Sequence, residues 1–299
     1  MAVEGKTQMI KLDSIRTAVH VGDFTPADPE WHDLRANGIS GTDAGAVLGL
    51  SPFSSAYKIW AIKTGKIDGH VEQNRAMRLG QLIEPALLQM FKEEHPEMVV
   101  HEDVGTFKHV DHPQLIANPD GLAFEGDKLW IIEIKTARQY WETVPEHYIR
   151  QCWHYADVFN ADGIKMVSYA GGIYTEWEIP FTKDDLAIQR SAILNFWEQC
   201  VEPDQEPEWD GSDSTYETVR AIAKPGDPEV TTELGYLGVQ LSNANEKFSQ
   251  AKRELTQLKS AALSQMENAK FGVTSESGKE IVVAVKRQRG DVNPWLEIK

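Results

Sequence analysis

The run Leu129-Trp130-Ile131-Ile132-Glu133-Ile134-Lys135-Thr136 constrains this chain more than any other segment. Ile131, Ile132 and Ile134 mark a β-strand covered on both faces. Residues two apart on a strand point the same way, so Glu133 and Lys135 project together while Ile134 faces the opposite layer. A buried charge without a partner is costly, so this strand demands something for its charged face. Upstream, Asn118-Pro119-Asp120-Gly121-Leu122 sets a second carboxylate in a tight turn, separated from the strand by a short acidic loop. Two oxygen ligands beside an ammonium suit a divalent cation and an activated water.

A chain of 299 residues, 41% of them hydrophobic, can bury a sizeable core, and one large domain plus an appendage is expected. Its two cysteines, Cys152 and Cys200, are too few for a disulfide framework or a four-cysteine zinc or iron–sulfur site. A reducing, cytoplasmic setting follows as an expectation. No apolar run reaches membrane-spanning length, and Met1 to Ile15 lacks the apolar core of a signal peptide. The net charge of −16 argues against a nonspecific nucleic-acid coat. It leaves a nuclease open, because metal-binding carboxylates tolerate phosphate once a cation is present.

Residues 1–25 read as a partly ordered arm. Asp28-Pro29 signals a short helix through Trp31–Arg35, and Gly38 to Asp43 is a turn opening a second helix to Leu50. Ser55 to Thr64 reads as a third. Asn74 to Glu94 carries the strongest amphipathic stripe of this half (Met77, Leu79, Leu82, Ile83, Ala86, Leu87, Met90, Phe91), with Pro85 implying a kink or a restart. Val99–Val110, Gln114–Ala117 and Leu129–Thr136 read as strands, Pro145–Phe159 as a helix, Ile164–Tyr169 and Ile173–Ile179 as strands joined at Gly171-Gly172, and Lys183–Val201 as a helix. The order predicts an α/β protein with a central mixed β-sheet flanked by helices. Residues 1–201 form the core in this reading, 202–230 an acidic linker, and 231–299 an appendage. In the appendage Leu234, Leu237, Leu241, Ala244, Phe248, Ala251, Leu255, Leu258 and Ala262 alternate steps of three and four, a heptad seam. It serves equally a helix docked on its own domain or an inter-chain coiled coil. A β-hairpin around Glu276-Ser277-Gly278 follows.

Taken singly, the candidate residues have ordinary explanations. Asp120 fits a turn and Glu133 with Lys135 an ion pair. Glu84, in Gly80-Gln81-Leu82-Ile83-Glu84-Pro85, fits a solvated helical carboxylate, though its apolar neighbours allow an inward one. Gln151, in Tyr148-Ile149-Arg150-Gln151-Cys152-Trp153-His154-Tyr155, fits a residue bridging backbone groups or one positioning water or phosphate. Arg35 and Thr42 flank a turn whose following helix would present free amides to an anion, with arginine adding bidentate phosphate recognition. The histidines match no HExxH spacing, and no GxxxxGK[ST] loop occurs.

Together the segments Trp31–Arg35, Ile39–Ala44, Leu79–Pro85, Asn118–Leu122, Glu133–Thr136 and Gln151–Tyr155 occur in the order of a known family. The chain resembles the YqaJ-like viral recombinases, within the lambda-exonuclease-type branch of the PD-(D/E)XK nucleases, over roughly residues 30 to 200. The resemblance implies a restriction-endonuclease-like core and Mg²⁺-dependent hydrolysis of one strand of linear duplex DNA from its 5′ end, with Mn²⁺ able to substitute. Asp120, Glu133 and the Ile134 carbonyl would bind the cation, Glu84 would complete the acidic cluster, and Lys135 would orient or deprotonate the water. Gln151 would support the site, and Arg35 and Thr42 would hold the 5′ phosphate. Asn118 departs from the serine common before Pro-Asp in the family.

By the same resemblance the partners are linear double-stranded DNA, a single-strand annealing protein and, as in ring-forming relatives, further copies of the chain. If phage-encoded, the setting is the bacterial host cytoplasm. An endonuclease of the same superfamily and a noncatalytic DNA-end-binding or assembly protein are the competing readings.

Overall fold

The computed structural model describes residues 14–24, 28–70, 73–227, 229–276, 279–288 and 292–298. In chain order its elements are β1 (Ser14–Ile15), β2 (Ala18–Gly22), α1 (Pro29–Ala36), β3 (Ile39–Ser40), α2 (Gly41–Val47), α3 (Ala56–Lys63), α4 (Arg75–Glu94), β4 (Val99–Glu102), β5 (Thr106–His109), β6 (Leu115–Ala117), β7 (Gly121–Glu125), β8 (Lys128–Ala137), α5 (Glu146–Phe159), β9 (Gly163–Ala170), β10 (Ile173–Glu178), α6 (Lys183–Phe196), α7 (Asp213–Ile222), α8 (Gly235–Gln265), β11 (Phe271–Glu276), β12 (Lys279–Arg287) and β13 (Trp295–Ile298). They fall into two compact units, Met1–Lys224 and Pro225–Lys299.

The first unit has the expected mixed α/β architecture, but its strands form two five-stranded sheets rather than one. The first sheet runs β1-β2-β5-β6-β3 and the second β10-β9-β8-β7-β4. Each is mixed: β3 lies parallel to β6, and β8 to β9, while the other pairs are antiparallel. The chain crosses between the sheets three times, the first time through α2, α3 and α4 from β3 to β4. Val99–Val110, expected as one strand, is split by Asp103-Val104-Gly105, where positive φ at Asp103 (53°) and Gly105 (79°) turns β4 of the second sheet into β5 of the first. Asn118-Pro119-Asp120 makes the return crossing from β6 to β7.

The strand β8 is covered on both faces, as its apolar run requires. Leu129 and Ile131 join Cys152, Tyr155 and Phe159 of α5 in the main core, while Ile132 and Ile134 pack with Leu87, Leu88 and Phe91 of α4. Pro85 neither kinks off a new helix nor ends one: α4 is a single assigned helix, capped by the Asn74 side chain. Its stripe is buried only in the C-terminal half; Met77, Leu79, Leu82 and Met90 are exposed.

Other expectations need correction. Residues 14–22, read as an arm, are strands, with β2 paired to β5; Met1 to Asp13 lie outside the described residues. The stretch after Asp120, read as a loop, contains β7 and the Glu125–Lys128 hairpin turn. The linker reading of 202–230 fails over its first part. Lys66 pairs with Asp204 and the Tyr57 hydroxyl donates to Glu206. Thr215 of α7 donates to Ser55, the cap of α3. Acidic composition alone does not reveal that Asp204 and Glu206 have partners on α3 and in the loop after it.

In the second unit α8 is a continuous 31-residue helix. Met266, Ala284 and Leu296 form a small cluster against Ala262 and Leu263. The expected hairpin is β11–β12, with β13 as an added third strand; its turn at Ser277-Gly278 lies outside the described residues. Among the described residues no helix is long and apolar enough to cross a membrane.

Candidate active site

The crossing from β6 to β7 places Asp120 just before β7, which pairs with β8 only as far as Gly121↔Ile132. Beyond that point β8 has lost its neighbour, and the Ile134 N–H donates instead to Asp120 Oδ2 at 2.6 Å. Glu133, 1% exposed, sits on the α5 face of β8. Its Oε1 accepts from the Lys135 ammonium and, at 2.7 Å, from Gln151 Nε2. The same amide nitrogen lies 3.1 Å from the Tyr155 hydroxyl. Lys135 in turn sits 5.3 Å above the Tyr148 ring, a cation–π contact. Its Glu133 partnership is the same-face pairing that strand periodicity requires.

Glu84 arrives from the other layer. A Cβ at Gly80 would come within 2.9 Å of Thr136 Oγ1, so glycine lets α4 lie close on β8. One turn further along, Glu84 is near enough to Asp120 and Lys135 to feel both charges. Burial first, then the Asp120 charge, raises the Glu84 pKa to about 7. The same two causes raise Glu133 to about 8 despite the ammonium beside it. Burial likewise raises Asp120. For Lys135, burial works against the ammonium but Glu133 and Asp120 outweigh it, so the amine is held protonated.

Three carboxylates thus crowd one ammonium. Glu133 Oε2 is buried with no hydrogen-bond partner among the described residues. A buried acceptor left unsatisfied is rare and calls for a missing donor or cation. The donor set is all oxygen, which fits a hard cation such as Mg²⁺ or Mn²⁺. Among the described residues no three His, Cys, Asp or Glu side chains close into a ready-made cage: Asp120 is turned onto the Ile134 N–H and Glu133 onto Lys135 and Gln151. Asp120, Glu133, Lys135 and Gln151 therefore meet as the sequence suggested, and Glu84 joins them electrostatically.

Arg35 and Thr42 meet elsewhere. Arg35 Nη2 donates to Thr42 Oγ1 at 3.1 Å and lies 3.5 Å from Asp43 Oδ1, with the guanidinium over the Trp31 ring. Lys63, its side chain 3% exposed, donates to Asp43 Oδ2 at 2.9 Å and to the Arg35 carbonyl. The Ser40 N–H and hydroxyl both donate to Asp43 Oδ2. Burial pulls the Asp43 pKa up, but Lys63, Arg35 and the Ser40 N–H hold it at about 2. These groups line a cavity of about 680 Å³ with Trp31, Met77 and Gln81. Thr42 and Asp43 stand in the first turn of α2, and their side chains line this pocket. Sequence reasoning missed Lys63 and gave Asp43 no role. Lys63 sits in Tyr57-Lys58-Ile59-Trp60-Ala61-Ile62-Lys63, where an inward lysine leaves no periodic signal.

The two clusters are linked. The helix α4 contributes Met77 and Gln81 to the cavity and Glu84 to the carboxylates. Tyr155 packs its ring where a Cβ on Gly41 would stand, 2.4 Å away, so α5 touches both the start of α2 and, through Gln151, Glu133.

Residues 30–162 match the family model described as the YqaJ-like viral recombinase domain. Among curated proteins the chain is 30% identical over 201 residues to the uncharacterized protein YqaJ of Bacillus subtilis (strain 168). The match covers 64% of this chain and 62% of that protein, less than two thirds of the relative's length. Among solved structures, the alkaline exonuclease of Laribacter hongkongensis is 22% identical with a TM-score of 0.49, covering 60% of this chain and 95% of that one. The same protein in complex with dAMP matches at 20% identity and the same TM-score. The residues of both clusters lie within the matched residues 30–162.

Proposed function

We propose that this chain is a Mg²⁺-dependent DNA exonuclease that degrades one strand of linear duplex DNA from the 5′ end. The observation that carries the reading is the crowding of Glu84, Asp120 and Glu133 around Lys135, with a buried Glu133 oxygen left unpartnered. The cation, when bound, would lower the pKa of an attacking water and stabilise charge on the phosphate. Asp120 and Glu133 would hold it. The N–H and C=O of one strand residue point to the same side, so the Ile134 carbonyl lies on the edge where β7 has ended and serves as a further ligand. Glu84 would complete the cluster directly or through water.

Lys135, held protonated, acts as a donor rather than a base: it orients the water and adds positive charge where the five-coordinate phosphorus is most negative. Gln151 and Tyr155 fix the Glu133 rotamer. Arg35, Thr42 and Lys63 would receive the 5′ phosphate, two cations facing one carboxylate. The YqaJ-like recombinase domain supports a role in recombination, in which the 3′ overhang left behind would pass to a single-strand annealing partner.

Digestion of end-labelled linear duplex, with and without Mg²⁺, tests the reading. Wild type should release nucleotides from 5′-phosphorylated ends only with the cation, and Glu133→Ala should bind DNA without cutting. Equal cutting of closed circles would replace the exonuclease with an endonuclease, and untouched duplex would leave only end binding.

A further inference from the structure

The largest apolar feature that the nuclease reading does not use is the seam of α8. Leu237, Leu241, Phe248, Leu255 and Leu258 are between 46% and 66% exposed, and Ala244 and Ala251 between them are exposed as well. Within the second unit, among its described residues, nothing covers this face; only its C-terminal end, at Ala262 and Leu263, packs on the small sheet. Solvated apolar residues at strict steps of three and four along about 32 Å of helix, Leu237 to Leu258, are the surface that two-stranded coiled coils bury.

We propose that the occupant is a second copy of this chain, paired antiparallel through α8 in the register that sets Phe248 of one copy on Ala251 of the other. Volume selects the orientation. With Leu241, Phe248 and Leu255 at a positions, and Ala244, Ala251 and Leu258 at d, a parallel pair in register stacks Ala244 on Ala244 and Ala251 on Ala251, leaving voids either side of a Phe248 pair. The antiparallel pair places each a residue against a d residue. Leu241 then meets Leu258, Ala244 meets Leu255, and Phe248 meets Ala251, repeated by symmetry over six layers in which no alanine faces another. Close packing of large against small residues is what such seams require.

Charge selects the same register. Between the Phe248 and Ala244 layers it brings Lys247 of one copy beside Glu254 of the other, twice per dimer, and puts Asn245 beside Lys252, with no like-charge contact. The parallel pair instead opposes Lys247 to Lys252, a repulsion absent from the antiparallel register, and offsets it with Glu254 beside Lys259. Length agrees too: the dyad falls between Ser249 and Gln250, at the middle of Gly235–Gln265, so the helices overlap end to end.

Sedimentation equilibrium of the full chain tests this. Wild type should form a dimer in the micromolar range. Leu241→Glu combined with Phe248→Glu should raise its dissociation constant at least about a hundredfold, with far-UV circular dichroism and nuclease activity per chain at saturating DNA retained. Lys247→Glu should weaken the dimer on the order of tenfold at low salt, and adding Glu254→Lys should restore it. A monomer throughout, an assembly indifferent to the Leu241/Phe248 pair, or a tightening by Lys247→Glu, as the parallel pairing demands, would each overturn the proposal.

Discussion

Two buried charge clusters sit along one face of the same helix, and their electrostatics are opposite. Around Asp43 the carboxylate is fully compensated: it has two cations, its pKa falls to about 2, and Ser40 supplies the remaining donors. Around Glu133 three carboxylates share one ammonium, two are raised to about 7 and 8, and one oxygen has no partner. The first is complete as a structural unit and leaves positive charge facing a cavity. The second is incomplete as folded. The contrast shows that burial alone does not mark a site; what marks it is burial that the protein's own groups leave uncompensated.

The sharpest break of the comparison is Glu133→Gln. It should lower hydrolysis on the order of a thousandfold or more while leaving DNA binding intact, checked by end-labelled digestion beside a filter-binding assay. The amide also removes a charge, so the metal-free melting temperature at pH 8 should rise, which no matched cluster would do. Lys135→Ala comes next, at about a hundredfold to a thousandfold in rate with little change in affinity for the duplex.

On the matched side, Lys63→Met leaves Asp43 buried with Arg35 alone. Thermal unfolding should show a loss of about 3 kcal/mol, together with a weakened preference for 5′-phosphorylated over 5′-hydroxyl ends. Retained stability would mean that Asp43 and Lys63 are not the coupled pair described here. Gln151→Leu should cost about ten- to a hundredfold in cation affinity, measured by titrating Mg²⁺ against activity.

The smallest effect is the pH dependence of metal-free stability. Glu84 and Glu133 release protons near 4.5 when unfolded but near 7 and 8 when folded. Their favourable contribution is therefore present below about pH 4.5 and is lost as pH rises through 7 to 8. On the proposed reading Mg²⁺ would bind the deprotonated native cluster, so the rise in melting temperature on adding it should be larger at pH 8 than at pH 6. Asp43 runs the other way, with its contribution lost only as pH falls through about 2. A Mg²⁺ effect independent of pH would separate the cation from these carboxylates.

Much of the site was legible because strand periodicity is rigid. Once Ile131, Ile132 and Ile134 fixed β8 as a covered strand, Glu133 and Lys135 had to share a face. Gln151 was legible as a member of a helix carrying Cys152, Tyr155 and Phe159 inward. Lys63, the partition of Val99–Val110 between two sheets, and the docking of α7 were not. Each depends on contacts between residues far apart in the chain, such as Thr215 with Ser55, or on backbone turns that short polar residues permit but do not announce.

The order of residues by itself determined the covered strand, the acidic turn before it, the helices that pack on it and the heptad spacing of α8, because side-chain direction repeats with fixed periods along helix and strand. Only the tertiary structure decided that β7 begins at Gly121 and leaves the Ile134 N–H to Asp120, that Gly80 brings Glu84 to the same edge, and that Lys63 and Asp43 complete the pocket of Arg35. Those outcomes hang on where one element stops against another, and a charge's neighbours in space are set by packing rather than by its neighbours in sequence.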